Sequence, residues 1–175
     1  MPERDGAQAR LNMYAIKLIV AALHLLVIDA LTKELAIHHL AGGSVPVIPG
    51  FFNLTYVENR GCAWGMFQGQ VWPLAVFAIL VMALLVWRRK DFFITEGPSW
   101  CVKTSCVAET LLYAGIIGNL IDRVWRGYVV DFLDFHWGDA YHFPCFNVAD
   151  ILITCSAFLL IFLSFAAAKH EKKSK

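Results

Sequence analysis

Charged residues are scarce in this chain. Asp, Glu, Lys and Arg make up 17% of its 175 residues, against about 25% in an average soluble domain. Apolar residues make up 58%, and the mean hydropathy of +0.57 argues against both a disordered chain and a water-soluble globule. The net charge of +1 provides no strong field to attract nucleic acid, so we do not expect nucleic-acid binding.

Several catalytic and metal-binding motifs are also absent. There is no G-x-S-x-G or H-E-x-x-H sequence, which removes common signatures of serine hydrolases and zinc peptidases. The five cysteines show no C-x-x-C spacing, and an odd number cannot all pair within one chain, so we expect free thiols and no zinc cluster. The pairs His38–His39 and His136/His142 lack ligand partners at helical spacing, and we interpret them as interface or loop residues. We therefore expect no metal and no cofactor.

Long apolar runs dominate what is present. Two segments of the chain contain no charged residue, and two more are apolar with a few charges. Because about 20 apolar residues cross a bilayer, we predict an all-α polytopic membrane protein with four transmembrane helices in one domain over residues 1–175. The predicted spans are 13–36, 71–87, 104–125 and 148–168.

Lysine and arginine are distributed unevenly between the connecting segments. They concentrate in the two tails and in the segment 88–103, and they are rare in 38–70 and 126–146. Because cytoplasmic loops are enriched in Lys and Arg, we predict that both termini face the cytoplasm. The segments 38–70 and 126–146 would then form the outer regions.

The first outer region has a composition of its own. Residues 45–58 mix β-branched and aromatic side chains with Pro46, Pro49 and Gly50. This composition predicts short extended strands that are interrupted at the two prolines and the glycine. We therefore expect a small β-rich structure on the outer surface.

Ionisable side chains inside the predicted helices need a physical explanation, because an unpaired one is costly at membrane depth. Asp29 and Lys33 lie one turn apart on the same helix face, which fits an internal ion pair or a direct role in a site. Asn119, Asp122 and Arg123 form one polar stripe on the third helix. This stripe fits either a site or a simple arrangement in which Arg123 reaches the surface and pairs with Asp122.

A second polar pair stands at the start of the fourth helix. Asn147 fits an N-cap, and Asp150 fits an acid in the first turn. One outer connection joins the third and fourth helices, so this pair and the polar stripe enter the membrane at the same height. Asp131 lies within that connection between apolar neighbours, whereas we interpret Asp134 and Asp139 as solvated loop acids.

These positions allow several carboxylates to converge at the outer surface of the bilayer. Two close carboxylates do not both ionise easily, so one keeps its proton and can act as an acid while the other acts as a base on water. The pattern indicates aspartic-type hydrolysis, but spacing alone favours Asp122 over Asp131. Two other classes stay open, namely an ion-coupled transporter with a relay of buried charges and a non-enzymatic assembly factor that binds through its aromatic outer loop.

Five short motifs in this order carry a resemblance to a known family. They are Asp29-x-x-x-Lys33, Asn59–Gly65 (NRGCAWG), Gly118–Arg123 (GNLIDR), Gly127–Phe132 (GYVVDF) and Phe146–Asp150 (FNVAD). Together they cover nearly the whole chain, and the sequence resembles lipoprotein signal peptidase (signal peptidase II), the membrane aspartic peptidase of bacteria. The chain departs from common family residues at Ala30, Cys62 and Ile151.

The resemblance implies a role for each polar residue. The catalytic pair corresponds to Asp131 and Asp150. The positions that support the site or bind the substrate correspond to Asn59, Asn119, Asp122, Arg123, Asn147, Asp29 and Lys33.

The resemblance also implies a substrate, a fold and a location. The substrate is a prolipoprotein whose cysteine carries a diacylglyceryl group, and cleavage on the amino side of that cysteine releases the signal peptide. The fold is a four-helix membrane domain with an outer β-cradle and a short outer helix, which the segments 45–58 and Asp131–His142 would supply. We expect a monomer in the bacterial cytoplasmic (inner) membrane, with its active site near the outer face.

Overall fold

The computed structural model of the protein describes residues 2–138 and 140–173. Asp139, which the sequence analysis interprets as a loop acid, lies outside these residues. The helices of the described chain are α1 (Pro2–Leu40), α2 (Val71–Trp87), α3 (Arg89–Phe92), α4 (Ser99–Trp125) and α5 (Val148–Lys173). The strands are β1 (Ser44–Ile48), β2 (Phe52–Asn59), β3 (Val129–Trp137) and β4 (Tyr141–His142), and a short 3-10 turn covers Ala63–Gly65.

All four predicted spans lie within helices, but the helices differ in length. Three of the described helices are long and apolar enough to cross a membrane, over Met13–Leu40, Ser99–Trp125 and Val148–Ala166. Helix α2 has the predicted bounds and is apolar throughout, yet it contains only 17 residues. At about 1.5 Å per residue it is slightly shorter than a hydrocarbon layer of about 30 Å.

Large apolar side chains cover the outside of these helices. Ile19 on α1, Phe77 on α2 and Phe165 on α5 are 61%, 64% and 73% exposed. Such extended apolar surface is not stable in water and marks a contact with another apolar phase. The surface of the fold therefore suits a lipid environment.

Two glycines allow α4 to approach its neighbours closely. A Cβ atom added at Gly115 would lie 2.5 Å from the carbonyl oxygen of Ala149 on α5. One added at Gly118 would lie 2.6 Å from Oδ2 of Asp29 on α1. Small residues at helix interfaces permit this proximity in membranes, and it places the start of α5 directly against the polar stripe of α4.

The strands form one antiparallel sheet in the order β1-β2-β3-β4. The predicted interruption at Pro49 and Gly50 is confirmed, since a turn with φ of 75° at Gly50 joins β1 to β2. The predicted interruption at Pro46 is confirmed only in part, because Pro46 lies inside β1 and pairs with Asn53, while the pairing with β2 becomes irregular between Pro46 and Ile48. Strand β1 is at the edge of the sheet, where a missing N–H group is tolerated.

The second outer region forms strands, although the family resemblance predicts a short outer helix within the two outer segments. Over the described part of Asp131–His142, β3 and β4 form a hairpin, and the short helical turn lies instead at Ala63–Gly65. Strand β3 is rich in β-branched and aromatic residues, which favours a strand, and it pairs with β2 in an antiparallel arrangement that has one irregularity. Its Val130 and Phe132 pack against the end of α1, so the sheet is fixed to the helical part of the molecule.

Candidate active site

Asn147 is the N-cap of helix α5, and its side chain also forms a hydrogen bond to the carboxylate of Asp131 on β3. Its Oδ1 accepts a hydrogen bond from the backbone N–H of Asp150 (3.0 Å), and Oδ2 of Asp150 accepts one from the backbone N–H of Asn147 (3.2 Å). This reciprocal pair is a capping box, so the predicted N-cap is confirmed. The Nδ2 of Asn147 donates to Oδ1 of Asp131 at 2.7 Å. One local motif therefore orients both acids.

Asp131 is buried rather than solvated. It is 2% exposed, and its Oδ2 accepts a second hydrogen bond, from Nδ2 of Asn59, at 2.9 Å. Burial, reinforced by the charge of Asp150, raises the pKa of Asp131 to about 7, although the hydrogen bonds from Asn59 and Asn147 act in the opposite direction. Asp131 is therefore able to hold a proton near neutral pH.

Asp150 is oriented by a second asparagine. The Nδ2 of Asn119 donates to Oδ1 of Asp150 at 2.8 Å, and Oδ1 of Asn119 accepts a hydrogen bond from Nδ2 of Asn147 at 3.1 Å. The two asparagine amides thus form a bridge between Asp131 and Asp150. Both oxygens of each carboxylate accept a hydrogen bond from the protein, and both acids also line a cleft.

Both acids line one cleft of about 520 Å³. Its wall combines this polar group with apolar side chains from α5 and from both outer regions, a composition typical of ligand sites. The residues that line it are Asn59, Cys62, Ala63, Trp64, Asn119, Arg123, Val129, Asp131, Phe143, Pro144, Cys145, Phe146, Asp150, Ile151, Ile153, Thr154 and Cys155.

Lys33 forms the centre of a separate charged cluster. It is 1% exposed, and its Nζ lies 2.8 Å from Asp29 and 3.0 Å from Asp122. The predicted Asp29–Lys33 ion pair is therefore confirmed and extends to α4. Nζ also donates to Oδ1 of Asn119 at 3.2 Å, and Oδ1 of Asp29 accepts from the backbone N–H of Ala149 at 2.9 Å. The cluster thus holds three helices together beneath the two acids.

The predicted pairing of Asp122 with Arg123 is wrong. Asp122 accepts hydrogen bonds from Arg126 and, at 3.1 Å, from the backbone N–H of Val130. Arg123 instead donates to the carbonyl of Gly61 at 3.2 Å, which connects the first outer region to α4. Adjacent residues on a helix point about 100° apart, so Asp122 meets the residue one turn later, Arg126.

Comparison with known proteins identifies the family. The family model for signal peptidase (SPase) II matches residues 21–166. The lipoprotein signal peptidase of Clostridium acetobutylicum is 37% identical over 159 residues, which cover 90% of this chain and 97% of that protein. The one from Symbiobacterium thermophilum is 42% identical over 144 residues, 81% of this chain and 90% of that protein. The chain belongs to the signal peptidase II family.

Two solved structures support this assignment. A bacterial membrane enzyme solved by the in meso method at 2.3 Å resolution has a TM-score of 0.69 and 33% identity, and the match covers 91% of this chain and 92% of that one. Another, solved at 1.9 Å, has a TM-score of 0.65 and 32% identity, over 83% and 90%. The protein is therefore a multi-pass inner-membrane protease of an aspartic peptidase family that processes lipoproteins, which decides against a transporter or an assembly factor.

The predicted site residues separate into two layers. Those that line the cleft are Asn59, Asn119, Arg123, Asp131 and Asp150, and those that lie outside its wall are Asp29, Lys33, Asp122 and Asn147. Sequence analysis missed the aromatic side of the cleft, formed by Trp64, Phe143 and Phe146. The high aromatic content of the outer regions was the only signal for it, because the contacts join segments far apart in the chain.

Asp134, predicted to be a solvated loop acid, and His136 and His142, predicted to be interface or loop residues, lie on strands. Asp134 and His136 lie in β3, and His142 lies in β4. The Asp134 side chain is 15% exposed, and its Oδ2 accepts a hydrogen bond from Oγ1 of Thr55 at 3.1 Å. The interpretation as loop residues is wrong because the hairpin continues through this segment.

Proposed function

We propose that this protein cleaves diacylglyceryl-modified prolipoproteins on the amino side of the lipidated cysteine, with Asp131 and Asp150 as its catalytic pair. One observation carries the proposal: the two carboxylates line a single cleft and are connected through the amides of Asn119 and Asn147. The family membership and the names of the relatives support the substrate class.

In the proposed reaction, a water molecule binds between the two acids. The ionised carboxylate removes a proton from this water as the water oxygen attacks the scissile carbonyl carbon. The protonated acid donates to the carbonyl oxygen, and the leaving nitrogen is protonated when the tetrahedral intermediate breaks down. The raised pKa of Asp131, about 7, supports a pair that holds one proton, and such a pair titrates as a unit.

The composition of the cleft suits a substrate that is itself anchored in the bilayer. Ile151, Ile153 and Cys155 line it from α5, which has an otherwise lipid-facing surface, and Trp64 and Phe143 line it from the outer regions. A lipidated cysteine and the preceding signal helix would meet such a cleft from within the membrane. Confinement of enzyme and substrate to one bilayer reduces the entropic cost of bringing the peptide bond to the acids.

We further propose four membrane crossings, with both termini in the cytoplasm and the acids near the outer face of a monomer. The charge-free α2 supports a fourth crossing, and the basic residues Arg88, Arg89 and Lys90 directly after it support a cytoplasmic loop. On a cysteine-free background, Tyr141→Cys should react with an impermeant thiol reagent from outside, and Arg89→Cys should not. The reverse labelling pattern would contradict this orientation.

The central test is cleavage of a diacylglyceryl-modified prolipoprotein by the detergent-purified protein. Asp131→Asn and Asp150→Asn should each abolish release of the signal peptide under single-turnover conditions. Asp91→Asn is the matched control, because Asp91 is exposed on α3, and it should cleave normally. Chelation with EDTA should not abolish cleavage, because no chemical step of the proposed reaction needs a metal. Normal cleavage by a folded Asp131→Asn or Asp150→Asn protein would refute the mechanism.

A further inference from the structure

The hairpin of β3 and β4 brings together three potential metal ligands. Asp134, His136 and His142 each offer one ligand atom, and these atoms lie within 4.8 Å of one another. His136 and His142 are register partners, and their rings stack with centroids 5.1 Å apart. Asp134 lies two residues before His136, so strand alternation places both on the same face of β3.

A second observation points to a ligand at this cluster. His136 is 7% exposed, and its Nδ1 is buried with no hydrogen-bond partner. A buried polar atom without a partner is destabilising, and native proteins rarely leave one in that state. Among the described side chains only Tyr113 has a comparable atom. A bound cation would give the His136 ring the partner that the protein does not supply.

Asp134 is supported in the way that metal-binding carboxylates usually are. Its Oδ2 accepts a hydrogen bond from Oγ1 of Thr55 at 3.1 Å, and Oγ of Ser44 lies 2.7 Å from that hydroxyl. Its Oδ1 remains directed to the cluster, 3.4 Å from Nδ1 of His142. A hydrogen bond from a neighbouring residue to a metal ligand, like this one from Thr55, orients the ligand and tunes the affinity of the site for the metal.

We propose that Asp134, His136 and His142 form a Zn²⁺ site, with a fourth position open to water. Two imidazoles and one carboxylate are a zinc ligand set, whereas Ca²⁺ and Mg²⁺ prefer oxygen ligands alone. The side chain of His142 is 57% exposed, which gives the ion a route from the aqueous side.

The zinc site is distinct from the cleft and acts structurally. Asp131 lines the cleft, whereas none of the three ligands does. Strand β4 has only two residues, Tyr141–His142, and leads directly into Phe143, which does line it. Zinc would fasten β4 to β3 and thereby fix the position of this wall.

The test is a titration of the full-length, metal-stripped protein in detergent with Co²⁺, followed by its visible absorption and then by displacement with Zn²⁺. The wild type should bind one Co²⁺ per chain. Loss of a residue that is hydrogen-bonded to a metal ligand weakens metal binding by about 10–100-fold, so Thr55→Val should weaken Co²⁺ binding to that extent. Asp134→Asn and His142→Ala remove ligands and should weaken Co²⁺ binding by at least as much. His38→Ala removes an exposed histidine on α1 and should bind as the wild type does.

Thermal melting separates ligand loss from misfolding. Zn²⁺ should raise the melting temperature of the wild type and of His38→Ala but not that of His142→Ala, because only a native state with the site gains from binding. Asp131→Asn should bind Co²⁺ like the wild type, so this result is independent of the proposed peptidase mechanism. Absence of a saturable Co²⁺ band in the wild type, or equal affinity in His142→Ala, would overturn the proposal.

Discussion

Two pairs of carboxylates in this molecule have opposite surroundings. Asp29 and Asp122 lie on either side of the Lys33 ammonium, and Asp122 also contacts Arg126. Asp131 and Asp150 accept hydrogen bonds from side-chain amides and a backbone N–H group, and none of the described ion pairs includes them. The first pair is neutralised by cations and closed, so it stabilises the fold. The second borders a cleft, which suits its proposed role as the catalytic pair.

The largest expected effect concerns the cleft pair. A general acid or base contributes about 10²–10⁴-fold to rate, so Asp131→Asn should reduce single-turnover cleavage by at least about 1000-fold. The double variant with Asp150→Asn should be little worse than either single variant, because members of one catalytic unit are strongly non-additive. Multiplicative losses in the double variant would show that the two acids act independently and would break the comparison.

Removal of the Lys33 ammonium should destabilise the protein far more than removal of a surface lysine. Lys33→Met leaves Asp29 and Asp122 buried together without their shared ammonium, which should lower the free energy of unfolding by about 3–5 kcal/mol. Lys103→Met is the control, because Lys103 is an exposed lysine on α4. Melting curves that coincide for wild type and Lys33→Met would show that the cluster is not structural.

The pH dependence of stability should differ in sign from that of an ordinary salt-bridged acid. An unfolded Asp has a pKa of about 3.9, while burial raises that of Asp131 to about 7 in the folded protein. Between these values the folded state binds more protons, so stability falls as pH rises through this window. Asp131→Asn removes this slope and should gain about 1–4 kcal/mol relative to wild type between pH values of about 4 and 8.

Melting temperatures measured across that range check this expectation. The curve of Asp131→Asn should separate upward from the wild-type curve as pH rises, whereas the exposed Asp91→Asn should follow the wild type. Parallel curves for Asp131→Asn and wild type would mean that folding does not raise the pKa of Asp131.

The smallest effect is expected from a variant that disturbs the close approach of α4 to α1 and α5, on which both carboxylate pairs depend. Gly118→Ala introduces a methyl 2.6 Å from Oδ2 of Asp29 and 3.3 Å from Cβ of Ala149, and overpacking of this kind costs about 1–3 kcal/mol. Gly42→Ala is the matched control, since a Cβ atom there meets nothing within 4 Å. Equal melting temperatures for the two variants would show that α1 and α5 adjust without cost.

Features that depend on neighbours in the chain were predictable from the sequence. The bounds of α2 follow from an uninterrupted apolar run, the turn at Pro49 and Gly50 from local backbone preferences, and the Asp29–Lys33 pair from spacing of one helical turn. The cap formed by Asn147 and Asp150 is equally local. The family, too, was readable from short motifs, and the comparisons confirm it.

Only the tertiary structure decided which polar groups meet. Lys33 reaches Asn119 across 86 positions of sequence, and Asn59 reaches Asp131 across 72. No periodicity encodes such contacts, because they arise when the sheet packs on α1 and when glycines let α4 approach its neighbours. For the same reason spacing alone favoured Asp122, only the family resemblance pointed to Asp131, and nothing in the sequence joined Asp134 to His142. The fold buries Asp122 among cations, opens Asp131 to a cleft, and joins the other two across a hairpin.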